Sequence, residues 1–273
     1  MGISHEQHAP DKRLDGIVQR VLTTRLDDGT AEIQVPPSGA IYLNYRTFGP
    51  IRVRFADGSE HEAAPLYCGG QLVSEMPVAV LQAPVGVVGL EFSPTGFYRL
   101  FGVDCSRLTD RMLDLAEIDQ AFAAALLQRL EAAPACRRAV IMQQAMIERL
   151  PTKPGPSIAG RAAARIRETR GRIAISELSG EFGVTPRHLR RLFAKQVGVS
   201  PKQFAKIVQF NCVAAVLQSG DTGAMHDVAL EHGYFDQAHF VRDFTRHVGQ
   251  NPTDFMASGN HFLDVYLGRK AHF

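Results

Sequence analysis

The sequence places a cluster of basic side chains within one predicted helix, and their chemistry is that of nucleic-acid contact. Between Thr185 and Gly198 stand Arg187, His188, Arg190, Arg191 and Lys195. A guanidinium group offers paired donors that match the O6 and N7 atoms of guanine, and an ammonium group suits a phosphate oxygen. We therefore predict that these five side chains contact DNA.

Such contacts require a helix whose opposite face is fixed to a core. The Thr-Pro pair at 185–186 is typical of a helix start, and apolar residues follow at helical spacing at Leu189, Leu192 and Phe193. A shorter amphipathic helix precedes this one and ends at Gly183, because glycine adopts the left-handed conformation that closes helices. The pattern predicts a helix-turn-helix, whose second helix enters the major groove.

The pattern occurs twice. Residues 175–204 and 226–255 superpose with an offset of 51, apart from one extra residue in the second turn. The matched pairs are His188 with His239, Arg191 with Arg242, Phe193 with Phe244, Gly198 with Gly249 and Pro201 with Pro252. A fixed period with a slip confined to a loop indicates a duplicated structural unit.

These repeats resemble the DNA-binding domain of the AraC/XylS family of bacterial transcription regulators. The residues that carry the resemblance are 227–229, 233–235, 239–244 and 249–255. It implies an all-α domain with two helix-turn-helix units joined by a long helix, which here begins at Pro201. It also implies a sequence-specific transcription regulator that binds double-stranded promoter DNA, with recognition helices about 34 Å apart if they enter successive major grooves.

The resemblance assigns DNA-contacting positions to the second helix of each unit. The base-contacting candidates are Arg187, Arg190 and Arg191 in the first unit and Gln237, His239 and Arg242 in the second. Lys195 and Arg246 are phosphate candidates near the helix ends, and the equivalent positions of His188 and His239 suggest a structural or phosphate-contacting role. The second unit has Ala238, Val241 and Asp243 on its second helix, so we expect it to read sequence less strictly.

Composition and charge divide the chain in two. Residues 158–273 hold 15 Lys+Arg against 10 Asp+Glu, whereas residues 1–157 hold 15 against 18, so the basic half is the one that carries the repeats. The predicted organisation is a flexible tail (1–13), a β domain with helices (14–150), a Pro/Gly-rich linker (151–157), the double helix-turn-helix (158–256) and a C-terminal tail (257–273).

Residues 14–101 alternate apolar and polar side chains between turn signals, a pattern typical of strands. The predicted strands are 40–47, 50–55, 71–73, 78–82 and 85–92. Short strands with frequent turns predict a small barrel or sandwich, as in the cupin-like sensor domains of the family. The run 89–102 also resembles the N-terminal domain of a subset of AraC-type regulators. The resemblance implies a small-molecule effector, although the barrel could instead serve only in assembly.

Four helices are predicted after the strands, at 98–102, 107–115, 118–132 and 135–150. Their apolar faces leave two interpretations open. They either form the homodimer interface that the resemblance implies for this region, or they cover the barrel. RNA polymerase is a further implied partner if the protein is an activator.

Several other classes of function lack their required residues. The predicted β domain contains one histidine, His61, and the cysteines at 68, 105, 136 and 212 are scattered, so we expect no metal, cofactor or disulfide framework. A DNA-repair alkyl-transfer protein would need a four-cysteine zinc site and a Pro-Cys-His-Arg loop. No constellation of catalytic residues can be placed, so we expect no enzymatic activity.

The expected location is the cytoplasm, with nucleoid association when DNA is bound, because no signal or membrane-spanning pattern occurs. The alternative function that stays open is an AraC-like fold retained as a protein-interaction module without DNA binding.

Overall fold

A computed structural model describes residues 3–150, 155, 157–218, 237–249, 251, 252 and 254. The strands are β1 Ile3–His8, β2 Val18–Leu26, β3 Thr30–Gln34, β4 Tyr42–Phe48, β5 Ile51–Arg54, β6 Glu60–Glu62, β7 Leu66–Gly69, β8 Val78–Gln82, β9 Val85–Phe92 and β10 Met112–Asp114. The helices are α1 Gly96–Phe101, α2 Gln120–Glu131, α3 Ala135–Glu148, α4 Ile158–Glu168, α5 Ile175–Glu181, α6 Pro186–Val197, α7 Pro201–Gln218 and α8 Gln237–Val248. We call residues 3–150 the β domain and residues 157–254 the helical region.

The β domain is a sandwich of two antiparallel sheets. Six strands form one sheet in the order β1-β2-β9-β4-β7-β10, and four form the other in the order β3-β8-β5-β6. Apolar side chains of β3, β5 and β8 face the larger sheet, where Ile33, Ile51 and Leu81 are buried. The predicted fold class, a small β barrel or sandwich with helices followed by an all-α domain, is confirmed as a β-rich domain followed by a helical region.

Helices cover the outer face of the six-stranded sheet. Leu43 and Leu90 of that sheet belong to the same buried cluster as Leu126 of α2 and Met146 of α3. The apolar faces of α2 and α3 therefore cover the sheet, which was one of the two roles that their sequence left open. Arg129 of α2 and Glu148 of α3 form an ion pair at 2.8 Å on the exposed side.

Three sequence-based predictions about the β domain are wrong. Residues 3–8 are strand β1, paired antiparallel with β2, and not part of a flexible tail. Residues 71–73 form a loop. The predicted helix at 107–115 is absent: these residues hold the end of a 3₁₀ turn (Cys105–Leu108), strand β10 and the first residue of a second 3₁₀ turn (Leu115–Glu117). Each of these segments is ordered by partners distant in sequence: β10, for example, pairs with β7.

The helical region packs α4, α5, α6 and α7 around one core, with Phe193 of α6 and Phe204 of α7 in edge-to-face contact at 5.9 Å between ring centroids. Helix α7 has 18 residues, which corresponds to about 27 Å at the rise of an α-helix. Most of the predicted linker, the first helix and turn of the second unit, and the tail at 257–273 lie outside the described residues. The predicted domain boundaries and the 34 Å separation stay predictions.

Candidate nucleic-acid interface

Helix α6 presents a basic face to solvent. The Thr185 hydroxyl accepts a hydrogen bond from the His188 backbone N–H at 3.2 Å, and Gly198 ends the helix with a φ of 98°. Leu189 and Phe193 are fully buried. Because they fix one face to the core, the opposite face is exposed, and it carries Arg187, Arg190 and Arg191.

The other two basic residues of α6 have identifiable neighbours. His188 is half-buried, and its Nδ1 accepts a hydrogen bond from Arg191 Nη2 at 3.2 Å. This contact holds the Arg191 guanidinium against the helix. Lys195 is exposed, but its Nζ lies 5.8 Å from the centre of the Tyr98 ring in α1. Lys195 is therefore near the β domain, at the far end of α6 from Arg187.

Helix α8 repeats this arrangement in the second unit. Phe240 and Phe244 are buried and Arg242 is exposed, as the equivalent residues are in α6. The predicted positions Gln237 and Arg246 lie on this helix, as does His239, but their side chains are outside the described part of the chain. Arg242 is thus the second-unit candidate whose exposure the structure establishes.

The duplication extends to individual hydrogen bonds. In the first unit the Ser200 hydroxyl accepts from the Gln203 backbone N–H at 3.2 Å. In the second unit the Asn251 side chain accepts from the Asp254 N–H at 2.9 Å. These pairs are separated by the same offset of 51. A side-chain acceptor at each position caps the start of the helical residues that follow.

The arginines of α4 are committed to other contacts. Arg165 pairs with Glu181 of α5 at 3.1 Å and with Glu168 at 3.5 Å. Arg161 lies over the Phe182 ring, 5.4 Å from its centre. These contacts join α4 to the α5 segment, whereas Arg187 and Arg190 of α6 and Arg242 of α8 are exposed.

Comparison with known proteins identifies this part of the chain. Residues 178–258, which span both repeats, match the model of a helix-turn-helix domain. The C-terminal region is an AraC-type helix-turn-helix domain. The curated relatives that this chain matches carry the names of transcription regulators.

This chain is 31% identical over 80 residues to the uncharacterized HTH-type transcriptional regulator YfiF of Bacillus subtilis. It is 26% identical over 84 residues to XylDLEGF operon transcriptional activator 1 of Pseudomonas putida. The matches cover 29% and 30% of this chain and 25% of each relative. The chain thus aligns with about a quarter of the length of these relatives.

A second family model matches the N-terminal part of the chain. Residues 6–114, which hold the strands of the β domain, match a domain of unknown function, DUF6597. Among solved structures, the crystal structure of ToxT from Vibrio cholerae O395 is similar over 87% of this chain and 96% of that chain, with a TM-score of 0.46 and 9% identity.

The β domain contacts the C-terminal ends of both recognition helices. The Thr109 hydroxyl donates to the backbone carbonyl oxygen of Gly198 at 2.6 Å. At the equivalent glycine of the second unit, a Cβ placed on Gly249 would lie 2.5 Å from Glu75 Oε1. The AraC-type domain is therefore held against the β domain at two equivalent points.

A buried carboxylate forms another contact between the two parts. Glu91 of β9 is 2% exposed, forms an ion pair with Arg20 and accepts a hydrogen bond from the Tyr42 hydroxyl at 3.1 Å. With its amide nitrogen turned towards Glu91, Gln19 donates to Oε1 at 3.2 Å and accepts from Arg167 of α4. Burial raises the pKa of Glu91, and the charges of Arg20 and Arg167 oppose that increase.

A cavity of about 180 Å³ lies between the two sheets. Most of its wall is apolar and includes Leu22, Ile51, Val53, Ala79, Leu81 and Val87. Asn44 and Tyr67 add hydrogen-bonding groups, and burial raises the pKa of the Tyr67 hydroxyl. Arg111 also lines this space and is the one Lys, Arg, Asp or Glu among the lining residues within the described chain.

Sequence reasoning did not identify Glu91, Thr109 or the cavity. A charged residue within the apolar strand 85–92 was a signal for Glu91, because a buried carboxylate requires partners. Tyr42 and Asn44, two polar positions of β4, line the cavity. Among the described residues, no group of three or more His, Cys, Asp or Glu side chains could hold a metal ion, and no helix is long and apolar enough to span a membrane.

Proposed function

We propose that the protein is a sequence-specific transcription regulator that binds double-stranded promoter DNA through both helix-turn-helix units. The observation that carries this proposal is the row of exposed arginines on α6, at 187, 190 and 191, opposite a fully buried face. An exposed guanidinium on a rigid helix can reach a base edge without losing an existing partner in the core. The AraC-type family of the domain supports the same function.

Within this proposal the residues have different roles. Arg187, Arg190 and Arg191 read bases in the first unit, and Arg242 reads bases in the second together with Gln237 and His239. His188 orients Arg191 through the hydrogen bond between them. Arg246 contacts phosphate. Lys195, also predicted to contact phosphate, is near Tyr98, so its contribution depends on how closely DNA approaches α1.

We assign the cavity of the β domain as the effector site. Its size is close to that of cavities that bind benzene, and its wall is largely apolar. The ligand class that fits is a small, uncharged, mostly apolar molecule with one group that hydrogen-bonds to Asn44 or Tyr67. A ligand with several charged groups would lose its hydration, because Arg111 is the one Lys, Arg, Asp or Glu in the described lining that could compensate for it.

The remaining partners follow from this function. A homodimer would use surfaces other than the apolar faces of α2 and α3, since these pack on the sheet. RNA polymerase is the partner if binding activates transcription, and the site of action is the cytoplasm, with association to the nucleoid. The rival function is a protein-interaction module that keeps the AraC-type fold without binding DNA.

Affinity selection of genomic fragments with the purified full chain tests the proposal. We expect enrichment of a limited set of fragments that share one motif, and affinity that falls steeply with salt because phosphate contacts release counterions. The genes beside those fragments would indicate the chemistry of the effector. Failure to retain any duplex at about 50 mM salt, where such contacts are strong, would favour the interaction module.

A further inference from the structure

The loop that connects β7 to β8 touches both candidate sites. We call residues 69–77 the bridge segment. On one side Gly69, Gly70, Leu72 and Pro77 line the cavity between the sheets. A change in what fills the cavity therefore acts directly on this segment.

The other side of the bridge segment faces the two recognition helices. A Cβ placed on Gly198 would lie 3.4 Å from Cγ of Gln71, and one on Gly249 would lie 2.5 Å from Oε1 of Glu75. Gly198 and Gly249 are equivalent in the repeat and end α6 and α8, respectively. Val73, between these contacts, packs against the buried core of the helical region. One segment of nine residues, the last residue of β7 and the loop after it, thus contacts equivalent ends of both DNA-reading helices.

Hydrogen bonds join the bridge segment to Asp110, which follows Thr109 in the chain. Asp110 Oδ1 accepts from the backbone N–H of Val73 at 2.8 Å and of Ser74 at 3.3 Å. The Asp110 N–H donates to the Gln71 carbonyl oxygen at 2.8 Å. The adjacent Thr109 hydroxyl donates to the Gly198 carbonyl at 2.6 Å. A shift of the bridge segment would therefore move the group that holds the end of α6.

Packing holds Gln71 in place. Its side chain is 1% exposed, and within the described chain neither its amide nitrogen nor its amide oxygen has a hydrogen-bond partner from the protein. Its position therefore depends on the packing of the bridge segment against Gly198.

We propose that the bridge segment transmits occupancy of the cavity to both recognition helices at once. The proposal rests on the proposed function, because it assigns the regulation of the same DNA-binding helices. Filling the cavity displaces Leu72 and Gly70, and the displacement reaches α6 through Gln71 and Thr109 and α8 through Glu75. Two equivalent contacts allow one ligand to change the relative placement of the two readers.

Amide hydrogen exchange of the full chain tests the coupling without DNA. Ala79→Leu serves as the occupant, because Ala79 lines the cavity and leucine extends into it. We expect exchange at residues 194–198 and 245–249 to change by at least about fivefold, the lower range of allosteric couplings. Ala79→Val, a smaller filler, should give a change of the same sign and smaller size, and it replaces Ala79→Leu if that variant does not fold.

Two further variants separate the branches. Adding Thr109→Val should remove the response at 194–198 and leave the response at 245–249, whereas adding Glu75→Ala should do the reverse. Thr30→Val, the same chemical change at an exposed strand residue, should leave both responses intact. Exchange changes confined to the β domain, or responses at both helices that survive Thr109→Val and Glu75→Ala together, would overturn the proposal.

The same variants distinguish this inference from the proposed function. The inferred coupling and the proposed function can be contradicted independently. A chain that shows the exchange response but retains no genomic fragment has the coupling without the DNA function. A chain that binds DNA with no response at either helix end has the function without the coupling. We expect both the exchange response and a DNA affinity that differs between the native chain and Ala79→Leu.

Discussion

The Thr109 hydroxyl donates a hydrogen bond to the backbone carbonyl oxygen of Gly198 at 2.6 Å. A side chain of the β domain thus satisfies an acceptor at the end of a recognition helix, where carbonyl groups lack intrahelical partners. The relationship joins the two parts of the chain at the residue that ends α6. Stability and DNA reading are therefore expected to depend on residues outside the AraC-type domain.

Thr109→Val should lower the free energy of unfolding by about 1–3 kcal/mol, because it removes the donor and leaves a buried carbonyl without that partner. Urea denaturation of the full chain measures the change. Thr30→Val is the matched control and should alter stability by less than about 0.5 kcal/mol, as surface substitutions usually do. Equal effects of the two substitutions would show that the bond to Gly198 does not matter.

Gly70→Ala should destabilise the chain by about 3 kcal/mol or more, in the upper range of overpacking substitutions. A Cβ on Gly70 would lie 1.8 Å from the Leu108 carbonyl oxygen, so the backbone of the bridge segment must move. The neighbouring Gly69 has open space around its Cβ position, and Gly69→Ala is expected to leave the melting temperature almost unchanged. A tolerated Gly70→Ala would mean that the bridge segment is less tightly placed than described.

Because the helix caps at Ser200 and Asn251 are equivalent, we expect their removal to lower the free energy of unfolding equally in the two units. Ser200→Ala and Asn251→Ala each remove a side-chain acceptor at a helix start, which typically costs about 1 kcal/mol. Thermal unfolding of the full chain measures both. Ser176→Ala, at an exposed position inside α5, is the control and should have little effect. A cost for Ser200→Ala without one for Asn251→Ala would show that the duplicated cap does not contribute equally to stability.

We expect the stability of the chain to depend on pH through Glu91, with a sign set by the burial of its carboxylate. Burial raises its pKa in the folded chain, so its stabilising contribution is complete below the ordinary value of 4.5 and is lost as pH rises through the raised value. The unfolding free energy of the native chain, relative to Glu91→Gln, should therefore decline as pH rises above the ordinary value of 4.5. Urea denaturation at a series of pH values measures the difference. A difference that grows with pH would mean that the Arg20 and Arg167 charges outweigh burial.

Arg191→Ala should lose about 1–3 kcal/mol of discrimination at one base pair, because an arginine that pairs with guanine carries that much specificity. Selection from randomised oligonucleotides compares the variant with the native chain. Arg165→Ala is the control, since Arg165 is paired with Glu181 and Glu168 and should not affect base preference. An unchanged preference in Arg191→Ala would remove Arg191 from the set of readers.

Local signals explain what could be predicted from the sequence. Thr185 and Gly198 fix the ends of α6 through caps that depend only on adjacent residues, and the strand at 85–92 has enough apolar residues to be recognised alone. Such signals are sufficient to predict the first helix-turn-helix. They also predict the strands at 78–82 and 85–92, whose bounds are those of β8 and β9. The repeat then indicated the second unit without any structural information.

Long-range partners explain what could not be predicted. Strand β1 reads as a polar tail because Ser4, Glu6 and His8 face outwards, and it is ordered by pairing with β2. Residues 71–73 look like a short strand, yet Val73 packs on the core of the helical region. Nothing near these residues in sequence encodes that contact. The cavity likewise requires two sheets whose pairing the sequence does not specify.

Fluorescence anisotropy of the full chain with a selected genomic fragment is the most direct test of DNA reading by both units. Arg187→Ala and Arg242→Ala should each weaken binding to that fragment, by more than either weakens binding to a scrambled duplex of equal length. Affinity should fall linearly on logarithmic scales as salt rises. If neither substitution changes the affinity, or if the native chain binds both duplexes equally, α6 and α8 are not the sequence readers and the proposed function is wrong.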